Sequence, residues 1–598
     1  MEPTSQQYFD WRGQLIMCGF AGIIWKNGKT SKDTSEFLTC MDSMLYHRGP
    51  DDGGNYVGKG FAVAHRRLSI IDANHGHQPM VSDNGRVGIA YNGEIYNFRQ
   101  IRRELEEQGY KFQTDCDTEV FLTLFLRDGE ACFDKLDGMF TAFIWDFRIH
   151  ENGRFYLVRD QLGIKPLYLY EDESKFAFSS ELLPLLKIEG LDLAPDPVGL
   201  VSYLTYRYTQ APYTLFKNIK RVEAGTYVHI HQGRSSKWRF WDLPLNDNSC
   251  ELNEDEAAAE LKRLLRESVA QKQMSDVPVG LLLSGGLDSS AIAVLCADIG
   301  VSLTSFNIGF PDLNEFSYSK AVAKKFNLPH FTVETSLEEI TAQFERVVAA
   351  LDEPIADPAC FPLHILCNSI KEHVTVVLSG EGSDEMLGGY PQYRHVLETP
   401  PSPQREKFEQ FLNFSWYFGQ HDMPVKRCVP VSRLYLQRIY FEERSLLDGM
   451  LAYDLKTWLP ENLMAKADKV LMSHSLEGRF PFLSPKILKF VSSLPEDFKL
   501  GSSDGKAVLR RAFANDLSKS VLTRPKMGFS VPVNDLLLQM KERLYSLLNP
   551  EEKGIFADLI DYKMLRQDFD DHFSGQRENS LWLWTIFVLL QWQSLVFD

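Results

Sequence analysis

Several features that mark common protein classes are scarce in this sequence. Positive charge is in deficit: 64 Lys and Arg stand against 81 Asp and Glu, a formal net charge of −17 at pH 7. A phosphate-binding surface needs clustered cations, and no basic stripe interrupts the acidity, so no nucleic-acid partner is expected. Cysteine is rare and unpatterned, with nine in 598 residues, an odd number without a CxxC. The nearest two, Cys360 and Cys367, have a spacing that suits neither a zinc knuckle nor a redox motif. No secretory signal is visible, so a cytoplasmic, reducing setting with free thiols is expected. Long apolar runs are missing as well. The longest, Leu581 to Leu590, falls short of the roughly 20 residues a bilayer requires. With Trp582, Trp584 and Trp592 around it, this run reads as a buried C-terminal helix, and no membrane partner is expected.

What is present is ordinary globular composition, 44% hydrophobic and 24% charged. The length exceeds what one core usually organises, which implies at least two domains. Residues 1–17 lack an amphipathic period and read as a leader that is absent from, or removed in, the working protein. From Cys18 to Tyr208, short alternating runs such as FAVAHRRLSIID, FTAFIWDF and RFYLVRD lie between Gly, Asp and Asn turns, the pattern of a strand-rich domain with a few helices. Residues 209–250, with Pro, Gly and Asn turns, read as a connection. From Glu251 the character changes to strands alternating with helices, the signature of a doubly wound parallel sheet followed by C-terminal helices.

Ser284-Gly285-Gly286-Leu287-Asp288-Ser289-Ser290 follows an apolar strand and opens a helix. Its glycines let backbone N–H groups approach an anion at the helix's positive end. The hydroxyls add donors, and Asp288 can hold Mg2+ against phosphates. There is no Lys-Ser/Thr pair, so the loop suits a departing pyrophosphate better than transfer of a γ-phosphoryl group. A capped Gly-rich turn would look the same. The segment Ser379-Gly380-Glu381-Gly382-Ser383-Asp384-Glu385 follows a second apolar strand, where open α/β sheets bind ligands. A solvated acidic loop is the alternative, but three acids so close repel one another unless a cation neutralises them.

At the start of the strand-rich part stands Cys18. A cysteine made N-terminal can use its own α-amine as general base, although most internal cysteines are simply small buried hydrophobes. Asn92-Gly93-Glu94 offers an amide and an N–H for an oxyanion, then a carboxylate for an ammonium group. Arg67 can clamp an α-carboxylate, and Asp117 can share the ammonium. Each is weak alone, since Asn-Gly is also a hairpin turn. Together they can recognise a zwitterionic amino acid and hydrolyse its side-chain amide.

With these residues in view, the chain resembles the glutamine-hydrolysing asparagine synthetase family, class II glutamine amidotransferases of bacterial type. The motifs are MCGFAGI, HRGPDD, YNGEIYN, LDGMF, LGIKPLYLY, SGGLDSS, SGEGSDE and RPKMGFSVP. The resemblance implies an N-terminal-nucleophile αββα glutaminase sandwich over 18–208 and an ATP-pyrophosphatase domain over 251–598. It implies that Cys18 attacks glutamine, with Asn92 and Gly93 at the oxyanion and Arg67, Asn92, Glu94 and Asp117 on the glutamine. Asp288 and Asp384 would carry Mg2+, and Ser284 to Ser290 the pyrophosphate of ATP. Leu283, Ile308 and Gly380 would line the adenosine, with Ser379 in the same nucleotide-binding set. Glu381 would act near the acyl-adenylate and Lys506 at the α-phosphate. L-Aspartate would be the acceptor, and a homodimer fits the family. Three departures stand out: sixteen residues precede Met17, whereas the family mechanism needs the cysteine amine free; Ser484 occupies a position where relatives carry an acid; and Gln161 one where Arg is usual. A paralogue amidating another carboxylate, or a non-catalytic glutamine- or ATP-binding regulator, remains an alternative reading.

Overall fold

The computed structural model describes residues 18–597 apart from 32, 50, 73–74, 245–248, 401–402, 415–443, 502–504, 526–527, 529 and 549–553. The leader and part of RPKMGFSVP lie outside the described residues. Two antiparallel six-stranded sheets build the first domain. One joins, in the order β10-β8-β9-β1-β3-β2, the strands β1 (Gly19–Trp25), β2 (Asp52–Gly58), β3 (Phe61–Arg67), β8 (Tyr168–Glu171), β9 (Lys175–Ser179) and β10 (Ile219–Arg221). The other runs β12-β11-β7-β6-β5-β4, from β4 (Met80–Val81), β5 (Val87–Ile95), β6 (Gly138–Asp146), β7 (Arg154–Arg159), β11 (Thr226–His231) and β12 (Arg234–Arg239).

Side chains two apart on β1 explain the layering. Phe20 and Ile24 enter the core between the sheets, beside Phe143, Trp145 and Phe178. Ala21 and Ile23 face outward onto Leu38, Met41 and Leu45 of the helix Thr34–Leu45. On the far side, Ile89 and Tyr91 of β5 pack against the helices Phe98–Glu107 and Asp117–Asp128. Both faces of each sheet are thus covered, giving the αββα sandwich. Residues 209–250 depart from the expected connection. Three strands from this segment, β10, β11 and β12, pair into both sheets, so the sandwich extends to Arg239. Turn residues there mark hairpins rather than a linker.

The second domain holds a parallel sheet ordered β15-β14-β13-β16-β17. Its strands are β13 (Val279–Leu282), β14 (Thr304–Gly309), β15 (His330–Glu334), β16 (Val376–Leu378) and β17 (Glu477–Arg479). Successive strands step outward on one side of β13 and then return to β16 on the other, so the topological switch point lies between β13 and β16. Open α/β sheets bind ligands at that crevice. The C-terminal helix Ser580–Phe597 is longer than the apolar run in the sequence suggests. By length and composition it could cross a membrane, yet two-thirds of it is buried, with Trp582, Trp584 and Trp592 inside the core. It serves as a core helix.

The two domains meet over a buried polar seam. Arg48 and Lys165 both reach Asp468, each at 3.1 Å. Arg159 pairs with Glu461 at 3.2 Å, and Arg221 pairs with both Glu461 and Glu353. Buried charges cost desolvation, and losing one partner strands the other, so this seam fixes the docking more than it adds net stability.

Candidate active sites

The first residue before β1 is Cys18, half-buried at the domain boundary. Its Sγ accepts a hydrogen bond from the Leu68 N–H at 3.1 Å. It packs beside Leu68, Ile70, Val279, Val376 and Met472, so apolar residues of both domains surround it. Burial pushes the thiol up to about 12, against the smaller opposing effects of the Leu68 N–H and Arg67. At neutral pH such a sulfur is a thiol, and it needs a base to become a nucleophile.

Around it the other residues expected from sequence come together. Asn92 is buried, and its Nδ2 has no hydrogen-bond partner among the described residues. An orphaned buried donor is costly unless a ligand satisfies it, and an oxyanion is such a ligand. Gly93 follows at φ 145°, and a Cβ there would strike the Met139 carbonyl oxygen, so only glycine presents its N–H this way. Glu94 is buried, with its carboxyl held well above the usual range. Desolvation is the main cause, Arg479 opposes it, and Glu477 and Asp117 reinforce it. Asp117 Oδ2 accepts from Tyr91 Oη at 2.8 Å and from the Ile95 N–H at 3.0 Å, which positions the acid beside the same pocket. Arg67 Nη2 donates to the Ile71 and Asp72 carbonyls at 2.8 and 2.9 Å, fixing the guanidinium over the loop that leaves β3.

At the switch point the second group assembles. Leu283 extends β13 by donating its N–H to Phe306 O at 2.8 Å, and Ile308 on β14 is buried nearby. The turn then closes on itself. Ser284 Oγ accepts from the Gly286 N–H at 3.2 Å and lies 3.1 Å from Ser289 Oγ. Ser290 Oγ is buried with no partner among the described residues. Helix Leu287–Asp298 starts here, so its unsatisfied N–H groups face the crevice. Ser379 and Gly380 open the facing loop after β16, and the Ser379 N–H donates to Arg479 O at 2.9 Å.

Lys506, 218 residues beyond Asp288 in the chain, closes the site. It adopts φ 56° just before the helix Ala507–Ala512. Its Nζ lies 2.7 Å from Asp288 Oδ2 and 2.7 Å from Asp384 Oδ1. Ser383 Oγ donates to Asp288 Oδ1 at 2.6 Å. A Cβ on Gly389 would collide with both Asp384 and the Lys506 stem, so that glycine makes room for the pair. Two carboxylates converging on one positive charge form a donor set that fits Mg2+, an ion held through one or two carboxylates plus substrate phosphates. Among the described residues no cluster of three or more acidic, His or Cys groups that could hold a metal ion occurs.

Sequence reasoning missed Arg479 and Glu477. Arg479 Nε donates to Glu477 Oε1 at 2.7 Å and its Nη2 lies 3.3 Å from Glu94. Their only signal was membership of the LEGRFPFLS run. Ser484, the departure noted in that run, donates to Asp137 Oδ2 at 3.3 Å across the domain boundary. The other departure, Gln161, is buried and donates to Leu136 O at 2.6 Å.

A nucleophile-headed αββα sandwich docked on a nucleotide-type parallel sheet defines a two-domain amidotransferase. Residues 17–241 match the family model described as glutamine amidotransferase domain, and residues 260–594 match asparagine synthase. The chain is 32% identical to asparagine synthetase [glutamine-hydrolyzing] 1 of Bacillus subtilis strain 168, over 97% of both chains. Asparagine synthetase [glutamine-hydrolyzing] 3 of the same organism is 28% identical, over 92% of this chain and 93% of that one. Asparagine synthetase B of Escherichia coli K12 is 29% identical, over 82% and 78%. The chain belongs to the asparagine synthase family.

Proposed function

We propose that this chain is a glutamine-dependent asparagine synthetase, a cytoplasmic ligase that uses ATP, L-aspartate and L-glutamine. In the first half, the α-amine of an N-terminal Cys18 takes the thiol proton and Sγ attacks the glutamine side-chain carbonyl. Asn92 Nδ2 and the Gly93 N–H would hold the oxyanion, with Arg67, Glu94 and Asp117 on the α-groups. The C–N bond breaks, ammonia leaves, and water hydrolyses the thioester to glutamate.

In the second half, an oxygen of the aspartate β-carboxylate attacks the α-phosphorus of ATP and the bond to pyrophosphate breaks. Ser284, Gly285, Gly286, Ser289 and Ser290 cradle the leaving pyrophosphate, while Lys506 offsets charge at the α-phosphate. Leu283, Ile308, Ser379 and Gly380 line the nucleotide. Asp288 and Asp384 would hold Mg2+, which supplies charge neutralisation for the phosphates when bound. Ammonia then adds to the acyl carbonyl, the C–O bond to AMP breaks, and Glu381 would accept the released proton.

The observation that carries this reading is the meeting of Asp288, Asp384 and Lys506 at the switch-point crevice. The test is Asp288→Asn. It should abolish AMP formation with either glutamine or free ammonia while glutaminase activity survives, because activation precedes nitrogen transfer in both routes. Asparagine synthesis at the unsubstituted rate in this variant would overturn the assignment. Homodimerisation, which fits the family, is read by sedimentation.

A further inference from the structure

The loop that leaves β3 carries the two carbonyls that fix Arg67, and its own domain is not all that holds it. Asp276 belongs to the second domain, in the short segment between the helix Glu254–Lys272 and β13. Its N–H donates to Ile70 O at 3.0 Å, and its Oδ2 accepts from the Asp72 N–H at 2.9 Å. Asp276 therefore grips the loop on both sides of Ile71. Ile71 and Asp72 in turn supply the carbonyls that receive Arg67 Nη2. The segment carrying Asp276 is itself anchored. Arg479 Nη1 donates to the Lys272 and Met274 carbonyls at 3.0 and 2.5 Å, and Ser275 Oγ donates to Val277 O at 2.9 Å.

Asp72 shows why an outside grip is needed. It stands at φ 48°, a left-handed conformation that is unfavourable for a residue with a Cβ and persists where neighbours over-determine it. The Asp115 N–H at 2.8 Å and His75 Nδ1 at 2.9 Å hold its carboxylate. Asp276 holds its main-chain N–H. The same loop closes over Arg67, since a Cβ on Gly76 would strike the guanidinium. An ordinary contact between domains would account for one hydrogen bond to this loop, but not for two that bracket the residues orienting Arg67. We propose that Asp276 is a positioning residue for the glutamine site. It acts through Ile70 and Asp72 to aim Arg67 at the substrate α-carboxylate, so a side chain of the second domain completes the binding site of the first. This inference rests on the reading of Arg67 as the α-carboxylate clamp.

The experiment compares glutaminase kinetics of the full chain with those of Asp276→Ala, Asp276→Asn, Arg67→Ala and the double variant of Asp276→Ala with Arg67→Ala. Asp276→Ala removes the acceptor of one hydrogen bond, so the glutamine KM should rise about fivefold with kcat within about twofold. Asp276→Asn keeps an acceptor oxygen and should recover most of that loss. In the Arg67→Ala background, Asp276→Ala should add less than about twofold, because a residue that acts through Arg67 then has nothing left to aim. Ammonia-dependent AMP formation should stay within about twofold in Asp276→Ala. An unchanged glutamine KM in Asp276→Ala overturns the proposal. So does a further loss of about fivefold on top of Arg67→Ala, or a parallel loss of ammonia-dependent synthesis, either of which marks a merely structural contact. If Arg67→Ala itself leaves the glutamine KM unchanged, the assignment of Arg67 fails first and the role of Asp276 falls with it.

Discussion

Arg479 lies 3.3 Å from the Glu94 carboxylate, while its own carbonyl oxygen accepts the Ser379 N–H at 2.9 Å. One residue of β17 therefore touches the proposed glutamine pocket with its side chain and the proposed nucleotide loop with its main chain. Glu94 is pushed toward its neutral form by burial and by two neighbouring acids, and Arg479 is the largest opposing influence. A neutral Glu94 could not hold an ammonium group. Arg479→Lys withdraws the guanidinium from Glu94 while keeping a buried cation. The glutamine KM should rise about tenfold, the equivalent of one pKa unit, and more steeply at lower pH. Ammonia-dependent AMP formation should stay within about twofold. A pH-independent glutamine KM equal to that of the unsubstituted chain would remove Arg479 from the glutamine pocket. Arg479→Met leaves buried carboxylates without their cation and should cost about 3–5 kcal/mol of stability.

Lys272 is buried against Tyr96, its Nζ 4.4 Å from the ring centroid and 3.1 Å from Ser268 Oγ. Burial lowers it to about 8, partly offset by Asp137. Its folded value lies below its unfolded one, so the protonated form favours unfolding. The penalty is full below pH 8, shrinks as pH rises through that value, and vanishes above the unfolded value near 10.5. At about 1.4 kcal/mol per unit, the neutral-pH penalty is about 3 kcal/mol. Lys272→Met should therefore raise the thermal midpoint at pH 7, by an amount that falls as pH approaches 10. A midpoint that does not change, or a gain that grows with pH, contradicts this.

The layers, and the segments that carry the proposed site residues, were legible because their signals are local. Alternation in β1 and β5, apolar runs in β13 and β16, and Gly-rich turns after the latter two each sit within ten or so residues. Lys506 was reached only through family resemblance, since nothing in its flanking residues ties it to Asp288. Arg479 was missed because its meaning comes from Glu94, a partner far away in the chain. Turn residues in 209–250 misled because hairpins and linkers share the same Gly, Pro and Asn chemistry.

The Cys18 thiol, at about 12, would be ionised in only about one molecule in 100,000 at pH 7 without a base. An α-amine base requires Cys18 to be the first residue of the glutamine-active protein. Mass spectrometry of active material should give a terminus at Cys18. A fully glutamine-active species retaining Met1 contradicts the α-amine base.

The central claim is that one chain carries two separable active sites, and Cys18→Ala tests it most directly. The substitution removes one sulfur from the sandwich and leaves Asp288, Asp384 and Lys506 untouched. AMP and asparagine formation should be measured side by side with glutamine and with ammonia as nitrogen source. The expected result is no glutaminase and no glutamine-driven asparagine, with ammonia-driven synthesis within about twofold of the unsubstituted chain. Retained glutamine-driven synthesis would make Cys18 an ordinary buried thiol, and loss of both activities in a folded variant would mean the sites are not separable.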